Sequence, residues 1–454
     1  MTTSTERPLH MTGHLAPVPD EIDATDLPVE GALPPELTGR YFRNGPNPRP
    51  GEISQHWFTG HGMIHGIRLR DGRAEWYRNR WVRTAALDGK PTLRADGTID
   101  RSVGVANTHV IEHAGRIMAL VESSFPHVIT PDLETVGTYD FEGRLTTAMT
   151  AHPKADPVTG ELHFFGYSVV APFLTYHRLA ADGTLVTSAD IEVPGPTMVH
   201  DFAITDQHAV FLDLPMTFDW ERLAKGMPFD WDDAYGARIG VMRLDRPGVV
   251  HWFDVEPNYV FHVGNAHTDA AGRVVLDAAR YGRADAIAMW RGLGPDVAGD
   301  AAATGLARLH RWTLDPTTDV VTETALHDRG IEFPTVDDER VGREARYRYA
   351  VADSAADAGI VKFDAALGTV TEHPMPADTV AGEAVFVPSA ATHRAEDDGW
   401  LLSITTRRDG SASQLLVLDA TDVAGEPVAR VTLPRGVPAG FHGSWIDDAV
   451  LEQQ

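Results

Sequence analysis

Short apolar runs of about four to eight residues, each closed by a turn signal, recur along almost the whole chain and constrain its fold more than any other feature. Runs such as "RIMALVES", "ELHFFGYSVV", "HAVFLDLPM", "GRVVLDAARY", "WLLSITTRR" and "SQLLVLDA" are rich in Val, Ile, Leu and Phe and bounded by Gly, Pro, Asp or Asn. That is the pattern of half-buried β-strands. Between them stand "DGR" at 71–73, "DGT" at 96–98 and 182–184, and "DPVTGE" at 156–161, all turn sequences. The segments "HRLAADGTLVTSADI", "HTDAAGRVVLDAARY" and "LVLDATDVAGEPVARVTL" repeat one theme of strand, turn and strand. An all-β fold follows. A sandwich or small barrel rarely needs more than about 250 residues, whereas radial repetition extends to 454 residues without long unprotected edges. The pattern therefore predicts a β-propeller. Two segments break the rhythm, 219–236 and 285–307, and read as helical or irregular insertions capping one face, where function is expected. No Pro-, Gly- or Ser-rich linker divides the chain, so residues 25–454 are expected to form one domain behind a loosely attached tail, 1–24.

Composition removes several function classes. There is no cysteine, which excludes disulfides, thiolate metal sites, iron–sulfur clusters and a cysteine nucleophile. A net charge of −26 argues against nucleic acid and against electrostatic docking to anionic lipid. No apolar run reaches the roughly eighteen residues of a membrane span, and the first twenty residues lack a signal-peptide h-region; a cytoplasmic location is expected. No GxGxxG loop or flavin signature is present.

Twenty-one histidines are about twice the usual share. Four sit at the edge of a short apolar run: His152 in "TAHPKADP", His200 in "MVHDFAIT", His262 in "VFHVGNAH" and His442 in "GFHGSWI". Their spacings of 48, 62 and 180 residues are too wide for one helix or hairpin but suit blades converging on one axis. Four neutral imidazoles would leave a divalent metal its full charge, unlike the common two-His-one-carboxylate set. Such ligands need their second nitrogen fixed, most often by a carboxylate. Glu122 in "ALVESS", Glu332 in "GIEFP" and Glu383 in "AGEAVFVP" are isolated acids in apolar runs, where a lone carboxylate is costly. Taken singly, each of these residues also reads as structural or exposed.

The ordered motifs "LTGRYFRNGPNP", "WFTGHGMIHG", "ANTHVIEHAGRIMALVE", "TAHPKADPVTGELHFFGYS", "MVHDFAIT", "FHVGNA" and "GFHGSW" decide between these readings. From about residue 25 to 449 the chain resembles the carotenoid cleavage oxygenases, a family that includes apocarotenoid oxygenases and stilbene-cleaving dioxygenases. The resemblance implies a seven-bladed β-propeller with Fe(II) on its axis, held by His152, His200, His262 and His442. It implies that Glu122, Glu332 and Glu383 orient three of them, leaving His152 without a carboxylate, and that Thr108 crowds an open metal position. It further implies oxidative cleavage of a carbon–carbon double bond by O2 into two carbonyl products, with no external reductant. His61 and His267-Thr268 depart from the family pattern; His262, in the "FHxxNA" position, is taken as the ligand, and His65, His127, His208 and His267 are set aside. Stilbene-cleaving members usually carry Lys where this chain has Val121. With Phe58 and Phe261, Val121 favours an apolar polyene, a carotenoid or apocarotenoid, and a stilbene is the alternative. Such a substrate is collected from lipid, so peripheral membrane contact is expected, with 167–177 and 219–236 as candidate surfaces that read equally as core strand and surface loop. The oligomeric state is left open.

Overall fold

The continuous apolar runs and the alternating ones occupy different depths of the same sheets. In blade 3, Leu162–Tyr167 and Leu174–Leu179 are buried almost throughout, while the outer strand Leu185–Ile191 alternates buried and exposed. The outer strands Val320–Gly330 and Thr369–Pro374 alternate likewise. Inner strands are covered on both faces by adjoining blades, and outer strands meet water on one side. The computed structural model describes residues 7–96, 98–222, 227–294, 306–353 and 357–451.

Among the described residues seven antiparallel sheets form the blades, and one two-stranded hairpin stands apart from them. Blades 2 to 6 each have four strands in sequence order, opening with His109–His113, Lys154–Ala155, Ala203–Ile204, Tyr259–Thr268 and Glu332–Thr335, and in blade 4 the two-stranded hairpin intervenes. Ala203–Ile204 touches Tyr259–Thr268, which in turn touches Glu332–Thr335 around the axis. Blades 1 and 7 exchange the chain ends. The late strand Gly443–Asp447 pairs with Gly39–Pro46 inside blade 1. The early strand Val29–Gly31 pairs with Ala429–Thr432 at the outer edge of blade 7. The apolar cores lie between blades. One joins Leu276 and Trp312 to Val361 and Phe363, another joins Tyr41 and Ile67 to Leu402 and Leu415.

Residues 7–24 are not the loose tail the composition suggested. His10 and Met11 are buried, Val18 and Asn47 exchange two hydrogen bonds of 2.8 and 2.9 Å, and the His14 amide donates to the Arg408 carbonyl. The two insertions do sit together on one face. The first carries the hairpin Met216–Phe218/Phe229–Trp231, and the second carries the helix Arg283–Gly292. The Trp290 indole donates to the Phe229 carbonyl at 2.9 Å and clamps one to the other. Residues 223–226 and 295–305 of these insertions lie outside the described residues. Among the described residues no helix is long and apolar enough to cross a membrane.

Candidate metal centre

Each blade delivers one residue to the axis. His152 precedes the leading strand of blade 3, His200 that of blade 4, and His262 lies in that of blade 5. His442 precedes the returning strand of blade 1. Glu122 follows the second strand of blade 2, Glu332 opens blade 6, and Glu383 sits between two short strands of blade 7. Separations unreadable as local structure become neighbouring positions around a ring.

The four imidazoles converge. Candidate ligand atoms of His152, His200 and His262 all lie within 4.8 Å of one another, and the three side chains are buried. The Nε2 atoms of His152 and His200 are 3.1 Å apart. The His442 ring centroid is 4.6 Å from that of His152 and 4.9 Å from that of His262. His200 Nδ1 lies 2.5 Å from Glu122 Oε1, His262 Nδ1 2.5 Å from Glu332 Oε2, and His442 Nδ1 3.0 Å from Glu383 Oε1. Nitrogen and carboxylate oxygen at these distances require a proton between them. The proton therefore sits on Nδ1 and the Nε2 lone pair is left facing the axis. His442 Nε2 is buried and has no hydrogen-bond partner. Converging buried lone pairs repel unless something shares them, and a divalent cation does.

The electrostatics agree. Burial, then the neighbouring imidazoles, hold His152 and His262 well below the ordinary histidine value, so both are neutral ligands. Burial also opposes charge on His200, but Glu122 outweighs it and raises this imidazole. Burial pushes Glu332 up to about 7. Burial acts the same way on Glu383, yet His442 keeps its carboxyl below the usual range. Those directions belong to the protein without an ion; a bound cation favours the carboxylates further.

Local structure fixes these side chains. Phe333 adopts φ +52°, a left-handed conformation rare for a bulky residue. Its amide donates to Glu332 Oε2 at 2.6 Å and its ring stacks on His262 at 4.7 Å. After His442 the chain needs glycine: a Cβ on Gly443 would fall 2.7 Å from the Tyr41 hydroxyl and 2.9 Å from Val385. Asp201 pairs with Lys154 at 2.7 Å and accepts from the Val263 amide at 2.7 Å, tying the lead-in of His200 to the strand of His262.

Two cavities meet at the imidazoles and share only His262 and His442 among their lining residues. The one along the axis, about 460 Å³, is edged by Lys154, Asp201 and Asp338. The other, about 480 Å³, is lined by Phe58, Thr108, Val121, Phe261, Phe333 and Phe441, with Met227 and Met289 contributed by the insertions. Among the described residues neither Lys nor Arg lines it. All four residues singled out for substrate contact are on this wall. Thr108 reaches the centre through its carbonyl, which accepts from the His442 amide at 3.3 Å.

The histidines set aside fall elsewhere. His267 pairs across the sheet with Val275, His65 bonds Tyr77 at 2.8 Å, His208 bonds Thr205, and His127 lies within blade 2. Sequence reading missed Phe441, although the doublet Phe261-His262 recurs as Phe441-His442. It also missed Tyr167, which read only as part of a surface patch.

Comparison with known proteins sets this geometry beside others. The profile of the retinal pigment epithelial membrane protein family matches residues 15–447. The chain is 39% identical to a carotenoid cleavage oxygenase of Mycobacterium tuberculosis over 96% of its own length and 97% of the relative's. It is 33% identical to a carotenoid 9,10(9',10')-cleavage dioxygenase of Arabidopsis thaliana, over 98% and 91%. Among solved structures, a Pseudomonas brassicacearum lignostilbene dioxygenase aligns with TM-score 0.85 and 28% identity over 98% of this chain and 100% of that one. Cobalt-substituted Synechocystis apocarotenoid oxygenase aligns with TM-score 0.82 and 30% identity over 95% and 97%.

Proposed function

The chain belongs to the carotenoid cleavage oxygenase family, and from that premise we propose that it is a non-haem Fe(II) dioxygenase cleaving a double bond of a neutral carotenoid or apocarotenoid. His152, His200, His262 and His442 hold the ion, and Glu122, Glu332 and Glu383 orient the last three. When bound, Fe(II) supplies the redox chemistry by which one O2 and one alkene become two carbonyl products, with no further reductant. The protein contributes position and exclusion. Phe58, Phe261 and Val121 press the polyene flat against the imidazoles, Thr108 restricts the space beside His442, and the apolar wall keeps water away. No side chain need move a proton, because the overall change transfers none.

The single observation that carries this reading is the convergence of four imidazoles, three of which are backed by carboxylates and line an apolar cavity. The likeness to a lignostilbene dioxygenase favours a second reading, a phenolic stilbene. Against it stand Val121 and a lining without Lys or Arg among the described residues: a phenolate there would lose its charge partner, a large penalty in a buried site. Peripheral contact with lipid, where such polyenes reside, is part of the proposal; Trp220 and Val170, both more than half exposed, are available for it.

Anaerobic Fe(II) reconstitution followed by O2 and a panel of apocarotenals, β-carotene and resveratrol tests this, with products identified by mass. Two carbonyl fragments from a polyene are expected. Fragments from resveratrol alone would transfer the assignment to stilbenes, and absence of iron uptake by wild type would remove the centre altogether.

A further inference from the structure

The three carboxylates behind the imidazoles are not held alike. Glu332 and Glu383 each take, besides their histidine, a backbone amide, Phe333 N at 2.6 Å and Gly443 N at 2.7 Å, and Glu332 also meets the Tyr281 hydroxyl. Glu122 takes a side chain, accepting on Oε2 from the Tyr167 hydroxyl at 2.6 Å while Oε1 faces His200. Tyr167 ends a strand of blade 3, Glu122 leaves blade 2 and His200 leads into blade 4, so this chain of contacts links three consecutive blades. Tyr167 also lines the apolar cavity, edge-on to Phe229 at 6.4 Å.

We propose that Tyr167 is a positioning residue of the centre, fixing Glu122 and through it the orientation of His200. The inference rests on the metal-centre reading above. A carboxylate anchored by one histidine alone can rotate about its terminal torsion, which is broad and shallow; the phenol removes that freedom. Its hydroxyl is thereby committed to Glu122, so the cavity receives the ring as an apolar surface. Outer partners of this kind change metal affinity by about 10–100-fold when removed.

The test uses the full chain loaded with Co(II), whose visible d–d bands report ligand geometry, and compares wild type with Tyr167→Phe and Tyr176→Phe. Tyr176 serves as the control: a fully buried phenol in the same blade, bonded to His163 at 2.7 Å and outside the cavity lining. Tyr167→Phe is expected to release Co(II) into excess chelator about tenfold faster or more, with shifted bands, while Tyr176→Phe behaves as wild type. In a Glu122→Gln background, Tyr167→Phe should add much less, because its effect runs through that carboxylate. Wild-type release and bands in Tyr167→Phe, or equal acceleration in Tyr176→Phe, would overturn the assignment of Tyr167. Failure of wild type to take up Co(II) would instead overturn the metal-centre reading, and this inference with it.

Discussion

Glu383 uses its two oxygens for two different donors, Oε1 for His442 Nδ1 and Oε2 for the Gly443 amide. Glu332 takes His262 Nδ1 and the Phe333 amide alike on Oε2. An amide side chain can therefore replace Glu332 by turning its carbonyl to the shared position. In place of Glu383 it must turn an NH2 against one N–H donor and leave that donor buried without a partner. Glu383→Gln should consequently weaken metal binding by about 10–100-fold, and Glu332→Gln by clearly less. Competition against a chelator of known affinity measures both; equal losses would contradict the oxygen-by-oxygen account. The residue types were legible in the sequence, because isolated acids in "GIEFP" and "AGEAVFVP" had to find partners. Which oxygen meets which donor was not, since it depends on the Phe333 backbone turning left-handed. Tyr167 was equally hidden: "HFFGYS" reads as a strand end, and nothing local ties it to a carboxylate 45 residues earlier.

At the level of elements, the returning strand Gly443–Asp447 closes the ring and delivers His442. Its hold is electrostatic as well as hydrogen-bonded. Asp448, buried to 5% exposure, receives Arg40 at 2.5 Å, Arg68 at 2.6 Å and Arg70 at 3.1 Å. Arg40 and Arg68 are themselves largely buried; Arg68 keeps Glu75 at 2.9 Å, but Asp448→Ala strands the Arg40 guanidinium, a loss of about 3–5 kcal/mol for one broken buried pair. Calorimetry should show a lower melting temperature, and Co(II) release should accelerate as well, because His442 lies six residues upstream on the same closing segment. A variant that melts early yet holds metal normally would mean that closure and centre are independent. The propeller itself was legible from strand rhythm, since inner and outer strands carry different burial patterns. Its closure was not: Val29–Gly31 pairs with Ala429–Thr432 across about four hundred residues, and short polar strands carry no signal of so distant a partner.

For the whole molecule, a histidine-rich interior makes stability depend on pH even without the metal. Burial alone or foremost pushes His56 down to about 3 and His127, His163 and His177 down to about 4. Each is neutral in the fold but takes a proton in the unfolded chain below its ordinary value of 6.5. Above pH 6.5 such groups cost nothing; as pH falls from there toward 4 the unfolded state binds more protons and stability declines. Two carboxyls act in the opposite sense. Glu332 at about 7 and Asp338 at about 6 are raised by burial, so the fold takes up their protons first and gains as pH falls. Four sites outweigh these two together with His200, which Glu122 raises, and His152 and His262, also held low, add to the majority. Metal-free protein should therefore lose stability between pH 7 and 5, with a net uptake of about two protons or more on unfolding near pH 5. Denaturant midpoints collected at pH 7, 6 and 5 give that number directly from the slope. Loading with metal should raise the whole curve and steepen its acid side, because a bound cation keeps protons off His152, His200, His262 and His442 in the fold while the unfolded chain still takes them up. A stability curve level from pH 7 to 5 in the metal-free protein would mean that these buried imidazoles reach water far more freely than their packing indicates.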